Sequence, residues 1–223
     1  MPYQPTHDFE GEYINEFHRF LPLYAIASKQ LRKELPASTH SEWAICGALS
    51  PEDALKLYEM AYFAGGDILE VGCNNGLSTC IMAQAIKDSG GDKMLVSVDL
   101  LKNFCDAATA NLRKMDLLKH VYIVCADGIR VADSMLFERR SFAFAFIDHD
   151  HREEAVKLMC QRLGGLIQDG GFCLFHDYDD ERNRLNEATD YGVFQGVDTG
   201  LSERQFEFWG IYGPSALYRR IEG

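Results

Sequence analysis

Basic residues are scarce in this sequence. Its 22 Lys and Arg stand against 34 Asp and Glu, which gives a formal net charge of −12. A surface with this excess of negative charge repels the phosphates of nucleic acids and of anionic membranes. We therefore expect no nucleic acid and no membrane as partner, and we favour a small molecule instead.

The sequence also lacks the usual features of secreted and membrane proteins. No apolar run is long enough to cross a bilayer, and residues 1–10 lack the basic and then apolar layout of a signal peptide. Seven cysteines, an odd number without a CxxC pair, argue against a disulfide framework and a zinc site. These absences predict a cytoplasmic protein with reduced thiols. Four of the cysteines lie in or beside predicted strands, and we expect them to be small core residues: Cys73, Cys80, Cys125 and Cys173.

The most informative segment that is present covers residues 67–79, DILEVGCNNGLST. An apolar run ends near Glu70, turns through two glycines and opens into a helical pattern, which predicts a cofactor loop after a parallel strand. A pyrophosphate-binding loop needs glycine at the middle position, where this sequence has Asn74. Glu70 would repel a pyrophosphate, but it suits a ligand with ammonium and sulfonium groups. A plain tight turn is the alternative that this segment alone leaves open.

From residue 67 onward, apolar runs typical of buried strands alternate with amphipathic segments typical of helices. Five such units in succession predict an α/β fold with a doubly wound, Rossmann-like parallel sheet and helices on both faces. Two more strands, over 204–212 and 216–221, predict a C-terminal antiparallel hairpin and a total of seven strands. We expect residues 1–49 to form a helical extension and residues 50–223 to form one domain.

Acidic side chains stand where the predicted strands end. Ligands of open α/β sheets bind outside the carboxyl ends of the strands, so these side chains are expected to line one site. Any single one could instead cap the following helix, but that explanation is weak for all of them together. The residues are Glu70, Asp99, Asp127, Asp148 and Asp177.

With these features, residues 50–222 resemble the class I S-adenosylmethionine-dependent methyltransferases. The similarity is to the branch that includes the catechol-type and the macrocin-type O-methyltransferases. The segment EVGCNNG resembles the first motif of the class, with Asn74 in place of the middle glycine. The resemblance implies S-adenosylmethionine as the cofactor and methyl transfer to a small hydroxylated metabolite, such as a sugar or a natural product.

The resemblance also implies which residues of the first loop contact the cofactor. Glu70 and Gly72 match the acidic residue and the first glycine of the motif, and Asn74 and Gly76 complete the loop. Ser78 matches a serine that helps to hold the methionine carboxylate near a helix N-terminus, where free N–H groups favour an anion.

The later strand ends supply the remaining implied cofactor contacts. Asp99 matches the acidic residue that accepts hydrogen bonds from the ribose hydroxyls. Asp127 with Gly128 matches the position at the adenine edge. His149 is expected to flank the adenine, next to Asp148.

The catalytic residues that the resemblance implies lie in Asp148-His-Asp-His151 and in His176-Asp177. In the resembling enzymes, groups at the ends of strands four and five bind Mg²⁺, and a base follows the strand-four Asp by three residues. This implies Asp148, His176 and Asp177 as metal ligands and His151 as the general base, with Asp148 and His176 also catalytic. A hydroxyl attacks a sulfonium methyl poorly until a base or a metal lowers its pKa, and a histidine with an ordinary pKa near 6.5 suits this task. Because imidazole suits divalent metals other than Mg²⁺, His176 leaves open a different metal, a second base or no metal.

Two other functions remain open from the sequence. Non-haem iron oxygenases use two histidines and one carboxylate, which His149, Asp150, His151 and His176 could supply. A metal-dependent, hydroxylase-linked enzyme would follow, although such triads normally sit on jelly-roll sheets. The second alternative is a non-catalytic protein that binds S-adenosylmethionine, which is less favoured because candidates for a base and a metal site are present.

Two segments are candidates for selecting the methyl acceptor. Glu12–Leu35 is helical by pattern and could act as a lid, pack on the core or form the surface of a homodimer. Residues 179–201 form a polar stretch with several turn residues after the fifth strand, and loops of this kind often set specificity. Four aromatic residues could line the acceptor pocket or pack under the hairpin: Tyr178, Tyr191, Phe194 and Trp209.

Overall fold

The computed structural model of the chain describes residue 45 and residues 47–90, 92–185 and 191–221. In these ranges a seven-stranded sheet lies between two layers of helices. The predicted extension over residues 1–49, including its lid helix, lies almost entirely outside the described residues and stays a prediction.

The strands are β1 (Ile68–Val71), β2 (Leu95–Asp99), β3 (Val121–Cys125), β4 (Phe142–Ile147), β5 (Ile167–Phe175), β6 (Phe206–Tyr212) and β7 (Ser215–Arg220). The α-helices in the described ranges are α1 (Pro51–Phe63), α2 (Leu77–Ser89), α3 (Lys102–Lys114), α4 (Gly128–Phe137), α5 (Glu153–Leu166) and α6 (Val193–Gly200). Short 3₁₀ helices cover Leu118–His120 and Glu181–Arg184. Within this part of the chain, no helix combines the length and the hydropathy that a membrane span requires.

The sheet has the strand order β3-β2-β1-β4-β5-β7-β6, and every neighbouring pair is parallel except the two that include β7. The chain moves outward from β1 to β3 and then continues on the other side of β1 through β4. The loops after β1 and β4 therefore diverge at a switch point, where open α/β sheets bind ligands. The predicted doubly wound sheet with a C-terminal antiparallel hairpin is confirmed.

The two faces of the sheet carry separate apolar cores, because successive strand residues point to opposite sides. Ile68 packs toward α1 and α2, whereas Leu69 and Val71 pack in the core formed with α4, α5 and α6. Glu70 follows Ile68 at a spacing of two residues and therefore faces α2. This alternation decides which neighbours the carboxylate of Glu70 meets.

Helix α1 begins at Ser50-Pro-Glu-Asp53, a pattern that predicts a helix N-terminus. Ser50 Oγ accepts a hydrogen bond from the Asp53 N–H at 3.1 Å, and Asp53 Oδ2 accepts one from the Ser50 N–H at 3.0 Å. The other oxygen of Asp53 accepts a hydrogen bond from the Ser215 hydroxyl at 2.5 Å. The cap of α1 therefore also ties this helix to the start of β7.

The structure differs from the sequence prediction after β5. Residues 179–201, predicted as a polar stretch of turns, contain the 3₁₀ helix Glu181–Arg184 and α6. Val193 and Val197 of α6 are buried, and Gly196 allows close contact with α5, since a Cβ there would lie 2.6 Å from Val156 Cβ. A helix of only eight residues that contains glycine shows little periodicity in sequence, which explains why the pattern did not reveal it.

One expected core cysteine is not in the core. Cys73, Cys80 and Cys173 are buried as predicted, but Cys125 is exposed. Cys125 ends β3, which lies at the edge of the sheet and has a neighbouring strand on one side only. The sequence pattern identified the strand but not its edge position.

Candidate active site

A cavity of about 730 Å³ opens at the carboxyl edge of the sheet, at the switch point between β1 and β4. Its walls come from the loops that follow the first five strands, and residues 47–49 close one side. All of the predicted site residues except Glu70 and Gly76 line it. Those in the wall are Gly72, Asn74, Ser78, Asp99, Asp127, Gly128, Asp148, His149, His151, His176 and Asp177.

The glycines of the first loop serve close packing. Gly72 has φ 100°, and a Cβ on it would lie 1.9 Å from the backbone oxygen of Asp148, so that only glycine allows the ends of β1 and β4 to meet. Gly76 has φ 86° and begins α2. A Cβ on Gly76 would lie 2.9 Å from Ala108 Cα, which places Gly76 in the contact between α2 and α3 rather than in the cavity.

Glu70 lies behind the cavity wall. Its buried carboxylate accepts hydrogen bonds from Thr79 at 2.6 Å, from Ser97 at 2.5 Å and from Ser78. Burial raises the pKa of Glu70 to about 7, although the three hydroxyls oppose the shift. Ser78 lines the cavity and Glu70 does not, so Glu70 holds the Ser78 hydroxyl from behind the wall.

Asp99 fixes the middle of the first loop. Its Oδ2 accepts a hydrogen bond from the Asn74 N–H at 2.9 Å, and its Oδ1 accepts one from the Leu101 N–H at 2.9 Å. Asn74 has φ 46°, a left-handed conformation that asparagine adopts more easily than most residues. Asp99 therefore joins the loops after β1 and β2, and each carboxylate oxygen can accept a further hydrogen bond at the cavity surface.

Asp127, Gly128 and His149 line the adjacent wall. Asp127 caps α4 by accepting a hydrogen bond from the Arg130 N–H at 2.9 Å, the alternative role that a single acidic strand end left open. Gly128 packs on β1, since a Cβ there would lie 2.5 Å from Val71 Cγ1. Both ring nitrogens of His149 are buried without a hydrogen-bond partner among the described residues, and burial lowers the pKa of this ring. A neutral ring with two unused nitrogens is available to a ligand.

Asp148, His151 and Asp177 converge at the ends of β4 and β5. His151 Nε2 lies 3.5 Å from Asp148 Oδ1 and 3.2 Å from Asp177 Oδ2. One candidate ligand atom from each residue lies within 4.8 Å of the others. Asp177 has φ 57°, a conformation that is uncommon for residues other than glycine and is often found at functional sites.

The two carboxylates change the charge of His151. Their hydrogen bonds raise the pKa of His151 to about 9, so the imidazole is protonated at neutral pH. In this state it cannot accept a proton from a hydroxyl, in contrast to the expectation of an ordinary pKa near 6.5. His151 becomes a base only when the charge of the neighbouring carboxylates is offset.

His176 does not have the surroundings expected of a metal ligand. Its side chain is 5% exposed, and Nδ1 lies 3.2 Å from Asp148 Oδ1, while Nε2 lies 3.5 Å from Asp53 Oδ2. Burial lowers the pKa of His176, but Asp148, Asp177 and Asp53 outweigh it and raise this pKa well above the ordinary value. Both ring nitrogens of His176 face carboxylates, and His176 lies outside the group whose candidate ligand atoms converge, so the geometry favours His176 as a support for Asp148.

The donor set of Asp148, His151 and Asp177 fits a divalent cation. Carboxylate oxygens suit Mg²⁺ and Mn²⁺, and an imidazole nitrogen shifts the preference toward Mn²⁺, Fe²⁺ or Zn²⁺. The iron triad of the oxygenase alternative requires two histidines. In the described ranges, the group that could hold a metal contains one histidine, and His149 and His176 lie outside it.

Sequence reasoning did not identify most of the side chains that cover the cluster of Asp148, His151 and Asp177. The ring of Tyr191 stacks on His151 with centroids 4.9 Å apart and planes inclined by 6°, and its hydroxyl donates a hydrogen bond to Asp177. The guanidinium of Arg182 lies 4.0 Å from the centroid of Tyr191 and lines the cavity. Tyr191 was a candidate for the acceptor pocket; the other three aromatics contact neighbouring rings instead, namely Tyr178, Phe194 and Trp209.

A signal for Arg182 was present in the sequence. Asp180-Glu-Arg182 repeats the spacing of Asp150-His-Arg152, and both follow the acidic end of a strand. In each case the guanidinium binds the carboxylate two residues earlier. Asp53 gave no such signal, because a helix cap does not indicate which distant histidine it will meet.

Comparison with known proteins completes the description of the site. Residues 69–178 match the model of a family described as a methyltransferase domain. Curated protein sequences gave no significant match. An O-methyltransferase from Bacillus cereus in complex with SAH has 17% identity and a TM-score of 0.65, over 96% of this chain and 92% of that chain.

Two further solved structures are similar in the same way. The O-methyltransferase TomG from Streptomyces achromogenes, involved in tomaymycin synthesis and in complex with SAM, has 16% identity and a TM-score of 0.61, over 96% of this chain and 91% of that chain. A methyltransferase from Geobacter sulfurreducens has 16% identity and a TM-score of 0.60, over 98% and 91% of the two chains. At 16–17% identity, the similarity to these three structures establishes the fold alone.

Proposed function

We propose, since this chain carries a class I methyltransferase domain, that it transfers a methyl group from S-adenosylmethionine to a hydroxyl of a small metabolite. One observation carries the proposal. A single cavity joins the ends of β1 and β2, where Gly72 and Asp99 lie, to the cluster of Asp148, His151 and Asp177. The first part suits a nucleoside with a charged tail, and the second suits an oxygen that must lose a proton.

The donor end of the cavity supplies one type of contact for each part of the cofactor. Asp99 accepts hydrogen bonds from the ribose hydroxyls, and Ser78 lies at the start of α2, where free N–H groups attract the methionine carboxylate. His149 and Gly128 contact the adenine. The carboxylates around the cavity favour the positive sulfonium over the neutral product.

At the acceptor end, the chain must orient a hydroxyl and remove its proton. The neutral imidazole of His151 can accept this proton. The stacked ring of Tyr191 fixes the orientation of the imidazole. A divalent cation would be held by Asp148 and Asp177, would offset their charge so that His151 can be neutral, and would supply the Lewis acidity that lowers the pKa of the hydroxyl.

Calorimetry with S-adenosylhomocysteine tests the donor end. We expect binding by the unaltered chain and a loss of about 10- to 100-fold in affinity for Asp99→Ala, as for a lost hydrogen bond to a charged group. Asp92→Ala is the matched control, because Asp92 is exposed in the loop before β2, at the opposite edge of the sheet. Absence of S-adenosylhomocysteine binding would refute the proposed function.

Transfer of a labelled methyl group to pools of hydroxylated metabolites tests the acceptor end. His151→Ala should abolish transfer and leave the affinity for S-adenosylhomocysteine within about twofold. His120→Ala, which alters a histidine before β3 at the opposite edge of the sheet, should retain activity. Binding of S-adenosylhomocysteine without transfer to any hydroxyl would favour the non-catalytic alternative.

A further inference from the structure

Two arginines stand among the described residues that line the cavity, Arg152 and Arg182. Arg182 is the one beside the catalytic cluster, since its Nη2 lies 3.6 Å from Asp177 Oδ2. Arg152 follows β4 and binds Asp150 instead. A cation next to the position of the reacting hydroxyl has no part in the methyl transfer described above.

The guanidinium of Arg182 is held in one orientation. Its Nε donates a hydrogen bond to Asp180 Oδ1 at 2.8 Å, and its Nη2 donates one to Asp180 Oδ2 at 2.8 Å. The backbone N–H of Arg182 binds the same carboxylate at 2.8 Å, and the plane of the group is supported by the ring of Tyr191. A guanidinium fixed in this way loses little entropy when it binds a ligand.

One edge of this guanidinium is unused. Nη1 makes no hydrogen bond with any residue in the described ranges, and the side chain is 52% exposed. The two N–H groups of Nη1 are therefore free to donate to a molecule in the cavity. A structural role for Arg182 would require only the bonds to Asp180.

The charges around Arg182 permit an anion to approach. The carboxylates of Asp180 and Asp177 lie on the Nε and Nη2 side of the guanidinium, so a ligand carboxylate can approach from the Nη1 side.

We propose that Arg182 is a specificity-determining residue that binds a carboxylate of the methyl acceptor. This inference rests on the methyl transfer proposed above. Because Arg182 adjoins Asp177, the carboxylate must lie near the hydroxyl that is methylated, which points to hydroxy acids with the two groups on neighbouring carbons. A planar guanidinium matches a carboxylate and does not match an amide of the same shape.

The test measures binding to the chain saturated with S-adenosylhomocysteine. The probes are mandelate, salicylate and D-glucuronate, each compared by calorimetry with its amide. At least one acid should bind about tenfold or more tightly than its amide, as expected for a charge-assisted hydrogen bond. Arg182→Gln should remove this preference, and Arg182→Lys should keep part of it.

Arg184→Gln is the matched control. Arg184 lies in the same 3₁₀ helix, binds Asp179 at 2.7 Å and does not line the cavity, so its loss should leave the preference for acids unchanged. Melting temperatures of all three variants establish that they fold. The inference is overturned if no acid binds, if acids and amides bind equally, or if the preference persists in Arg182→Gln.

Failure of this inference is distinguishable from failure of the proposed function. If S-adenosylhomocysteine binds and the amides are methylated as well as the acids, Arg182 does not select the acceptor and the methyl transfer still stands. If S-adenosylhomocysteine does not bind at all, the proposed function itself is wrong. Arg182→Gln should bind S-adenosylhomocysteine within about twofold of the unaltered chain, since Arg182 follows β5 and Asp99 ends β2, with β1 and β4 between these strands.

Discussion

A single acidic residue at the end of β1 illustrates how one side chain can take two different roles. The sequence favoured Glu70 as a direct contact to a cationic ligand. In the structure the alternation of β1 turns it toward α2, where three hydroxyls surround its carboxylate. The same residue therefore stabilises the wall of the cavity from behind and carries an elevated pKa.

Replacement of Glu70 should change how stability depends on pH. Its folded-state pKa of about 7 lies above the ordinary 4.5, so the stability it contributes is present below pH 4.5 and is lost as the pH rises through 7. Glu70→Gln cannot ionise. The unfolding free energy of the variant, relative to the unaltered chain, should therefore rise between about pH 5 and about pH 8, by roughly 3 kcal/mol at most.

Urea unfolding at several pH values measures this difference. Because other carboxylates titrate equally in both proteins, their effects cancel in the comparison. A difference that stays constant over the whole range would show that Glu70 keeps an ordinary pKa.

Gly72 should tolerate no side chain. Gly72→Ala would place a Cβ 1.9 Å from the backbone oxygen of Asp148 at a φ of 100°, so we expect a loss of about 2 kcal/mol or more in unfolding free energy. Gly65→Ala, where a Cβ would meet nothing within 4 Å, should change stability by less than about 0.5 kcal/mol. Chemical denaturation of both variants makes the comparison. Equal stability of the two would contradict the close approach of β1 and β4.

The sequence predicted which residues line the site where those residues lie at strand ends. It did not predict the charge states of the histidines. Asp99, Asp148 and Asp177 are in the cavity because each lies at the end of an apolar strand or within two residues after it. The raised pKa of His176 depends on Asp53, which comes from the start of α1 and is distant in sequence. Contacts of this kind follow from packing and leave no local pattern.

Among the elements, the segment between β5 and α6 is organised around one buried amide. Asn183 Nδ2 donates hydrogen bonds to the backbone oxygens of Asp177 at 2.8 Å, Tyr178 at 3.1 Å and Asp180 at 3.0 Å. Its Oδ1 accepts a hydrogen bond from the Phe194 N–H at 3.1 Å. This residue links the strained end of β5, the 3₁₀ helix and the first turn of α6.

Asn183→Ala should therefore loosen the whole segment. Loss of these buried hydrogen bonds should lower the unfolding free energy by about 1–3 kcal/mol and weaken acceptor binding, because Asp177 and Arg182 lose their support. Asn103→Ala changes an exposed asparagine of α3 and should have little effect on either. Unfolding in urea and methyl transfer are the two measurements. A stable, fully active Asn183→Ala would show that the 3₁₀ helix holds its position without this amide.

Sequence reasoning located well those elements that have long apolar runs. The ends of elements were harder to predict where glycines occur. Helix α5 continues through Gly164-Gly165 to Leu166, although adjacent glycines in a sequence usually indicate the end of a helix. A Cβ at Gly165 would lie 2.6 Å from Leu136 Cδ2, so this glycine serves the packing of α4 on α5 rather than a helix end. Gly170-Gly171 likewise lie inside β5, although paired glycines usually indicate a turn outside a strand.

On the scale of the whole molecule, the fold brings two carboxylates from the ends of β4 and β5 together in a group that a cation could bind. Mn²⁺ should stabilise the unaltered chain by about 2.7 kcal/mol when its concentration is 100 times Kd. Asp148→Asn should reduce this effect strongly, because it removes one of the two carboxylates of the cluster. Asp92→Ala should respond like the unaltered chain.

Thermal unfolding with and without Mn²⁺, in the presence of S-adenosylhomocysteine, measures the shift. Addition of a chelator should reverse it and should lower methyl transfer if the cation takes part. A melting temperature that does not respond to Mn²⁺, together with activity that resists the chelator, would remove the metal from the mechanism.

The insertion of β7 between β5 and β6 has a consequence for how the sheet is completed. Strands β5 and β6 do not pair, so within the sheet β6 is hydrogen-bonded only to residues 215–220. A chain interrupted before Ser215 would leave β5 with an open edge, which is a template for association with other chains. Assembly of the last third of the sheet therefore has to wait for its final strand, and truncation there should produce aggregation rather than a smaller folded domain.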